Sequence, residues 1–329
     1  MGNTCYLNSA FQALRHTRVF SEYLGTDAWG RHRHPERKGA QLTEEAAGLT
    51  RALMAPGDKA VVPHSFVRAF IAFGREFNDE IRFGAQADAA EAIQILLDGL
   101  HTQLSREVHM NITGRAATPD QEEYMKSLES WSSFFRKEYS PLVDAFYGQT
   151  QIKVQCNGCA ATSTRYEPWS VHKLPIPGGE KAGAPAPTLQ ECLRASFAKE
   201  ELDDYACDSC ESRGKATLKH AISRFPHNLI VSLKRFTNTG AKVRARIPYD
   251  ENLIDLAEFR AWTTIHPAAT AQYRVIATVE HMGSSRGGHY IMRARVGTKW
   301  LCFDDGTVTA ADGGGAAEPD TYVLILERC

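Results

Sequence analysis

The stretch that decides the architecture is GHYIMRARVGTKWLCFDDGTV, residues 288–308. It reads as a strand from His289 to Val296, a turn from Val296 to Lys299, and a second strand through Trp300-Leu301-Cys302-Phe303. Antiparallel pairing across that turn would set His289, opening the first strand, beside Asp304, closing the second. Gly287 and Gly288 precede the histidine, and glycines without a Cβ let backbone or substrate come close. Each piece alone has an ordinary reading. A histidine in a strand is usually structural, and an Asp304-Asp305 pair usually marks a turn.

Strand signals continue on either side. Residues 150–155, 222–225, 229–233, 273–281 and 322–327 alternate or run apolar with β-branched residues. The character changes near Phe146. Before it, Leu7, Ala10, Phe11 and Leu14 fall at helical spacing. Residues 62–73 read as a short helix. Residues 89–100 read as an amphipathic one, with Ile93, Leu96, Leu97 and Leu100 on one stripe. Residues 102–140 read as helical, charged and partly exposed. Residues 15–60 are mixed and charged, with a His/Arg-rich loop at 31–37. Residues 178–187 and 312–319 read as loops. Helices first and strands second predict an α+β protein with segregated elements.

Two Cys-x-x-Cys pairs, Cys156/Cys159 and Cys207/Cys210, lie on either side of residues 160–206. Each pair forms a knuckle offering two thiolates, and two knuckles complete a tetrahedral set for zinc. The interval exceeds that of a compact zinc ribbon, so the ion would join the ends of two extended hairpins. Four thiolates leave no open position, which makes the expected site structural. The flanks lack the basic, aromatic-rich stripe of a nucleic-acid module.

Thr4-Cys5-Tyr6-Leu7-Asn8-Ser9 sits where a loop enters a helix. The helix dipole and the free N–H groups there favour a thiolate on Cys5 and can later hold an oxyanion. A thiolate needs a base and the base an orienting group, and His289 and Asp304 supply that order.

Composition narrows the classes. The 329 residues are 43% hydrophobic with a net charge of −1, enough for a sizeable core and without a global basic field for nucleic acid or anionic membrane. No run approaches the ~18 apolar residues that span a bilayer. No basic n-region and apolar stretch opens the chain, so no secretory signal is read. Eight cysteines in such a chain do not read as a disulfide framework. A cytosolic or nuclear monomer is expected.

These motifs together resemble the ubiquitin-specific protease family, whose papain-like fold is described as fingers, palm and thumb. GNTCYLNSAFQAL (2–14) is similar to its Cys box and residues 288–308 to its His box. Gln86-Ala87-Asp88-Ala89 resembles its Gln-Gln-Asp-Ala segment, with Ala87 replacing the second Gln. The knuckle region resembles the zinc-bearing fingers, and residues 229–236 its Leu-Lys-Arg-Phe strand.

The resemblance covers nearly the whole chain and implies one catalytic domain over 1–329. Residues 1–145 would form a mainly helical thumb, 146–235 the fingers with adjoining palm strands, and 236–329 the palm. It implies a thiol hydrolase cutting after the C-terminal glycine of ubiquitin, with ubiquitin and ubiquitinated proteins as partners.

Cys5 would be the nucleophile, His289 the base and then acid, and Asp304 its orienting group. Asp305 would help in the oxyanion region. Cys156, Cys159, Cys207 and Cys210 would bind one structural zinc. Gln86 and Asp88 would line the channel for ubiquitin's tail, Asp88 facing basic tail residues. His281 and Gly283 would lie on a loop over it, and Gly288 would narrow it to a Gly-Gly tail. The family carries an oxyanion-donating Asn five positions before the Cys, ahead of Met1 here. Either backbone N–H groups and Asn3 compensate, or the start is a truncated boundary. A catalytically weak ubiquitin-binding module and a hydrolase for a ubiquitin-like modifier are the alternative readings.

Overall fold

The computed structural model describes residues 2–57, 59–179, 185–263, 265, 271–312 and 316–329. Among the described residues seven α-helices come first, α1 (Cys5–Arg15), α2 (Arg18–Gly25), α3 (Ala40–Met54), α4 (His64–Gly74), α5 (Ala89–Leu104), α6 (Pro119–Phe135) and α7 (Pro141–Phe146), with a 3-10 turn at Asp27–His32 after α2. Then follow β1 (Gly148–Cys156), β2 (Thr162–Trp169), β3 (Val171–Leu174), α8 (Leu189–Ser196), β4 (Glu200–Cys207), β5 (Ser212–Arg224) and β6 (Asn228–Leu233). The last part holds β7 (Ile247–Pro248), β8 (Ile254–Asp255), β9 (Gln272–Ser284), β10 (Gly287–Val296), β11 (Lys299–Asp304), β12 (Thr307–Ala311), β13 (Ala316–Ala317) and β14 (Thr321–Arg328). The expected order of helices before strands holds.

The large sheet runs β12-β11-β10-β9-β14-β6-β3, with β8 added on β9. Among the described strands of this sheet, only β3 on β6 is parallel. Its central strands are buried on both faces, which is why they read as continuous apolar runs. In β14, Val323 and Ile325 join the helical core, while Leu324 and Leu326 join a second core on the opposite face. In β6, Ile230 takes the helical side and Leu229, Val231 and Leu233 the other. Each such side chain contributes roughly 1.5–3 kcal/mol relative to exposure. Helix α1 is wedged between β10 and α5, with Leu7, Ala10 and Leu14 inaccessible to solvent. The second sheet, β2-β1-β5-β4, is antiparallel throughout and projects separately.

Several expectations need correction. Residues 102–140 are not one helix, because α5 stops at Leu104 and α6 begins only at Pro119. The stretch between contains Val108, Asn111, Ile112, Thr113 and Gly114, all weak helix formers. Helix α6 then starts on Thr118, whose hydroxyl accepts from Gln121 N, with Pro119 in its first turn. Strands β2, β4 and β12 carried no apolar run because they are sheet edges exposed along much of their length. The supposed 312–319 loop includes β13, which pairs with β7. Residues 180–184 and 313–315, within the two expected loops, lie outside the described residues. Lys234, Arg235 and Phe236 continue past the end of β6. Arg235 is fully buried, and its guanidinium donates to the carbonyls of Thr321, Val243, Ala245 and Glu318. Burial pushes its pKa down to about 10.

The two cores carry an acid-sensitive element. Burial pushes the pKa values of His16 and His172 down to about 4. His16 accepts edge-to-face packing from Phe303, and His172 stacks on Phe197. Both rings charge more readily once unfolded, so their stabilisation is complete above about pH 6.5 and is lost as pH falls towards 4. The expected loss is roughly 2 kcal/mol for each ring, allowing for its solvent-facing edge. Urea midpoints between pH 7 and 4 should fall more steeply in the wild type than in His172→Gln. Parallel profiles would contradict this assignment.

Candidate active site

Cys5 is the first residue of α1 and is 6% exposed. Thr4 supplies no side-chain cap, but its carbonyl accepts from Leu7 N at 3.0 Å and Asn8 N at 2.9 Å. The N–H groups of Cys5 and Tyr6 have no place in that pattern and stay at the helix mouth, as the first donors of a helix do. Asn3 has a left-handed backbone, φ 58°, and its amide donates to Gly84 O at 2.7 Å. The structure thus gives Asn3 the task of strapping the 81–88 segment to the mouth of α1.

The β10–β11 ladder pairs Met292 with Phe303 and Val296 with Lys299. Just past its open end, His289 Nε2 lies 2.6 Å from Asp304 Oδ1. The carboxylate can only accept, so Nε2 carries the proton and Nδ1 is left for another partner. Asp305, at φ 47°, keeps a carboxylate oxygen within 4.8 Å of a His289 ring nitrogen but accepts its hydrogen bond from Asn8 Nδ2 at 2.7 Å. That bond joins α1, three residues beyond Cys5, to the turn that follows Asp304. Tyr290, next to His289, is packed in the same core as Cys5, and its pKa is raised chiefly by burial, with smaller contributions from Asp88 and Cys5. Among the described residues Cys5 Sγ makes no hydrogen bond to His289. Such contacts are often loose before substrate arrives.

On the other side of this group, Gln86 pairs with Gly288 like a strand rung. Its Nε2 donates to Gly288 O at 2.9 Å, and its Oε1 accepts from Gly288 N at 3.0 Å. The two facing glycines leave no room for side chains of their own between β9 and β10. A Cβ at Gly283 would lie 2.6 Å from Gly288 Cα, and one at Gly288 would lie 2.5 Å from His281 Nε2 and strike Met282 O. His281 and Gly283 are not on a loop. They belong to β9, facing Tyr290 and Gly288 across the β9–β10 ladder. His281 is buried, 4.5 Å from the Tyr290 ring, and burial followed by nearby Lys242 lowers its pKa.

Asp88 is half-buried and held from two sides. Its Oδ1 caps α5 through Glu91 N at 2.8 Å, and its Oδ2 accepts from Tyr322 OH at 2.6 Å. Tyr322 and Asn8 are contributors that sequence reasoning missed. Asn8 carried one legible signal, its position one helical turn after Cys5. Tyr322 carried none, because its partner lies over two hundred residues away.

At the far end of the four-stranded sheet, the turns after β1 and β4 bring together the thiols of Cys156, Cys159, Cys207 and Cys210, all within 4.8 Å of one another. Cys156 and Cys210 sulfurs are 3.9 Å apart, and Cys159 and Cys207 sulfurs 3.6 Å. A tetrahedral ion with 2.3 Å Zn–S bonds needs sulfur separations of about 3.8 Å. Ala160 and Glu211, each following the second cysteine of a knuckle, both adopt left-handed backbone at φ 60° and 53°. Donor type, spacing and matched turns fit zinc.

Residues 1–325 match the family described as ubiquitin carboxyl-terminal hydrolase. The chain is 31% identical to ubiquitin carboxyl-terminal hydrolase 2 of Bos taurus, over 99% of this chain and 54% of that protein. The Homo sapiens protein of the same name gives the same identity and coverage. Ubiquitin carboxyl-terminal hydrolase Usp2 of Drosophila melanogaster is 29% identical over 100% of this chain and 34% of its own length. The chain thus spans about half the length, or less, of these relatives. In fold it is similar to a chain of the SAGA DUB module Ubp8/Sgf11/Sus1/Sgf73 bound to monoubiquitin, with a TM-score of 0.72 and 18% identity over 99% of this chain and 67% of that one. A second such module, bound to ubiquitin aldehyde, also gives a TM-score of 0.72, at 19% identity.

Proposed function

The chain belongs to the ubiquitin carboxyl-terminal hydrolase family, and from that premise we propose that it is a cysteine-type deubiquitinase, cleaving isopeptide or peptide bonds after ubiquitin's last glycine. The observation that carries this reading is the placement of Cys5 at the mouth of α1 with the 2.6 Å His289–Asp304 pair, the two joined through the Asn8–Asp305 bond. His289 Nδ1 takes the Cys5 proton, and the thiolate attacks the terminal glycine carbonyl. The Cys5 and Tyr6 N–H groups hold the oxyanion. Asp304 keeps His289 in the required tautomer and stabilises its charged form. Collapse expels the lysine amine, which His289 protonates, and water then hydrolyses the thioester. Gln86 fixes Gly288, and the Gly-Gly tail is proposed to run in a narrow slot beside it. Zinc, when bound, supplies only a structural cross-link between the two knuckles.

Residues 1–145 act as thumb, 146–235 as fingers with adjoining palm strands, and 236–329 as palm. All eight cysteines are free of disulfides, which suits an intracellular, reducing compartment. Ubiquitin and ubiquitinated proteins are the proposed partners.

The direct test is release of dye from a ubiquitin C-terminal fluorogenic amide, with ubiquitin-like proteins in parallel. Ubiquitin should be turned over fastest. Tight binding without release would mark a grip without chemistry, and faster release from a ubiquitin-like protein would reassign the substrate. The slot has its own test. Gly288→Ala should cut kcat/KM by about 10²-fold or more, since the Cβ must displace His281 or the β9 backbone beside His289. Unchanged kinetics in that variant would show that the slot does not touch substrate.

A further inference from the structure

One approach to the group around Cys5 is the proposed tail slot beside Gln86. Another opens past Asn8 and Asp305 into a crevice of about 860 Å³ between the exposed side of α1, residues 55–57 and 59–63, and the turn into β12. Gly306 faces that segment, since a Cβ there would lie 3.6 Å from the Ala60 Cβ.

The crevice is built unlike an ordinary surface groove. Leu53, Phe66 and Phe303 form its apolar floor. Val62 and Val308 stand on its rim at 61% and 54% exposure. Strand β12 ends the large sheet, and among the described residues it pairs only with β11, so its outer main-chain groups have no strand partner. An open strand edge beside an apolar trough is the arrangement that captures extended polypeptide, main chain on the edge and alternate side chains in the trough. The crevice also reaches the immediate neighbours of the reacting group, because Thr4, Asn8 and Asp305 line it and the Asn8–Asp305 bond forms its inner lip.

We propose that this crevice receives an extended segment of the modified protein on the leaving-group side of the scissile bond, and that it favours apolar side chains flanking the modified lysine. This rests on the deubiquitinase reading. With a Gly-Gly tail beside Gly288, the crevice past Asn8 and Asp305 offers the chain bearing the lysine a way out. The protein would then discriminate among ubiquitinated targets by the sequence around the lysine as well as by ubiquitin itself.

The test compares three substrates: ubiquitin joined through an isopeptide bond to a lysine in a short peptide with Val and Leu flanks, the same peptide with Ser flanks, and the ubiquitin dye amide. The wild type should favour the apolar peptide by roughly ten-fold in kcat/KM. The double variant Val62→Ser, Val308→Ser should reduce that preference to less than about three-fold while leaving dye release unchanged. Both positions are exposed, and a melting curve checks that the variant is folded. Equal rates for the two peptides in the wild type would overturn the proposal. So would an equal loss on dye and peptide in the variant, or concentration-dependent self-association abolished by the variant, which would assign the crevice to a second copy. Failure of the wild type on the dye substrate would instead sink the deubiquitinase reading, so the two failures are distinguishable.

Discussion

Cys5→Ala should lower kcat for a ubiquitin C-terminal amide by at least about 10⁴-fold, with ubiquitin affinity changed by no more than about three-fold. The reaction has no second route to the acyl intermediate, because a methyl group cannot attack a carbonyl. Binding should survive because Cys5 is almost wholly enclosed and the substitution removes one sulfur from the end of a helix anchored by Leu7, Ala10, Phe11 and Leu14. The slot and the Asn8–Asp305 tie remain intact. His289→Ala should cost nearly as much, and the double variant with Cys5→Ala little more, since the two act as one unit. Asp304→Asn should keep the hydrogen bond but not the charge that stabilises the imidazolium. Its loss should therefore be large and should fall on kcat more than on KM. Titration of ubiquitin onto the Cys5→Ala variant separates grip from chemistry. More than 1% of the wild-type rate in that variant, on the order of a 10²-fold loss only, would rule out Cys5 as the nucleophile.

Removal of zinc, or Cys159→Ser with Cys210→Ser, is expected to unfold the far half of the four-stranded sheet and leave the large sheet folded. Structural zinc sites contribute roughly 10–16 kcal/mol at neutral pH, far above what this sheet gains elsewhere. Strand β4 reads EELDDYAC, and of its eight side chains only Cys207 is buried. Its ion pairs, Arg213 to Asp204 and Lys215 to Asp203, are all exposed and worth little. The large sheet has its own cores on both faces and does not need the ion. Metal analysis should find about one zinc per chain. Hydrogen exchange after chelation should accelerate in residues 200–218 and in 152–164, while residues 273–281 and 323–326 stay protected. Full protection of residues 200–218 without metal would contradict the site. Dye release should persist with a raised KM, since the reacting group sits on the other sheet.

Much of this was legible because the relevant signals are local. The hairpin carrying His289 and Asp304 is encoded by a turn between two apolar strands, and its pairing follows from the chain alone. The knuckles announce themselves by two-residue spacing, and the mouth of α1 by the onset of helical periodicity at Cys5. Edge strands β2, β4 and β12 were not legible, because an exposed strand needs no apolar pattern. Residues 105–118 misled for a related reason: charge density suggests an exposed helix, but the propensity of the residues between the charges forbids one.

The sequence by itself determined which residue types are available for chemistry and which elements carry them. Only the tertiary structure decided their final assignments. Asp88, expected to face substrate, also caps α5 and holds Tyr322 from the opposite end of the chain. Asn3 was considered for the oxyanion, yet its amide ties down Gly84. Asp304 and Asp305 are adjacent and chemically equal, yet one takes the histidine and the other Asn8. The reason is physical. A carboxylate or amide bonds to whichever partner the packing brings within about 3 Å, and that partner is fixed by the register of distant strands against α1 and α5, not by neighbours in the chain.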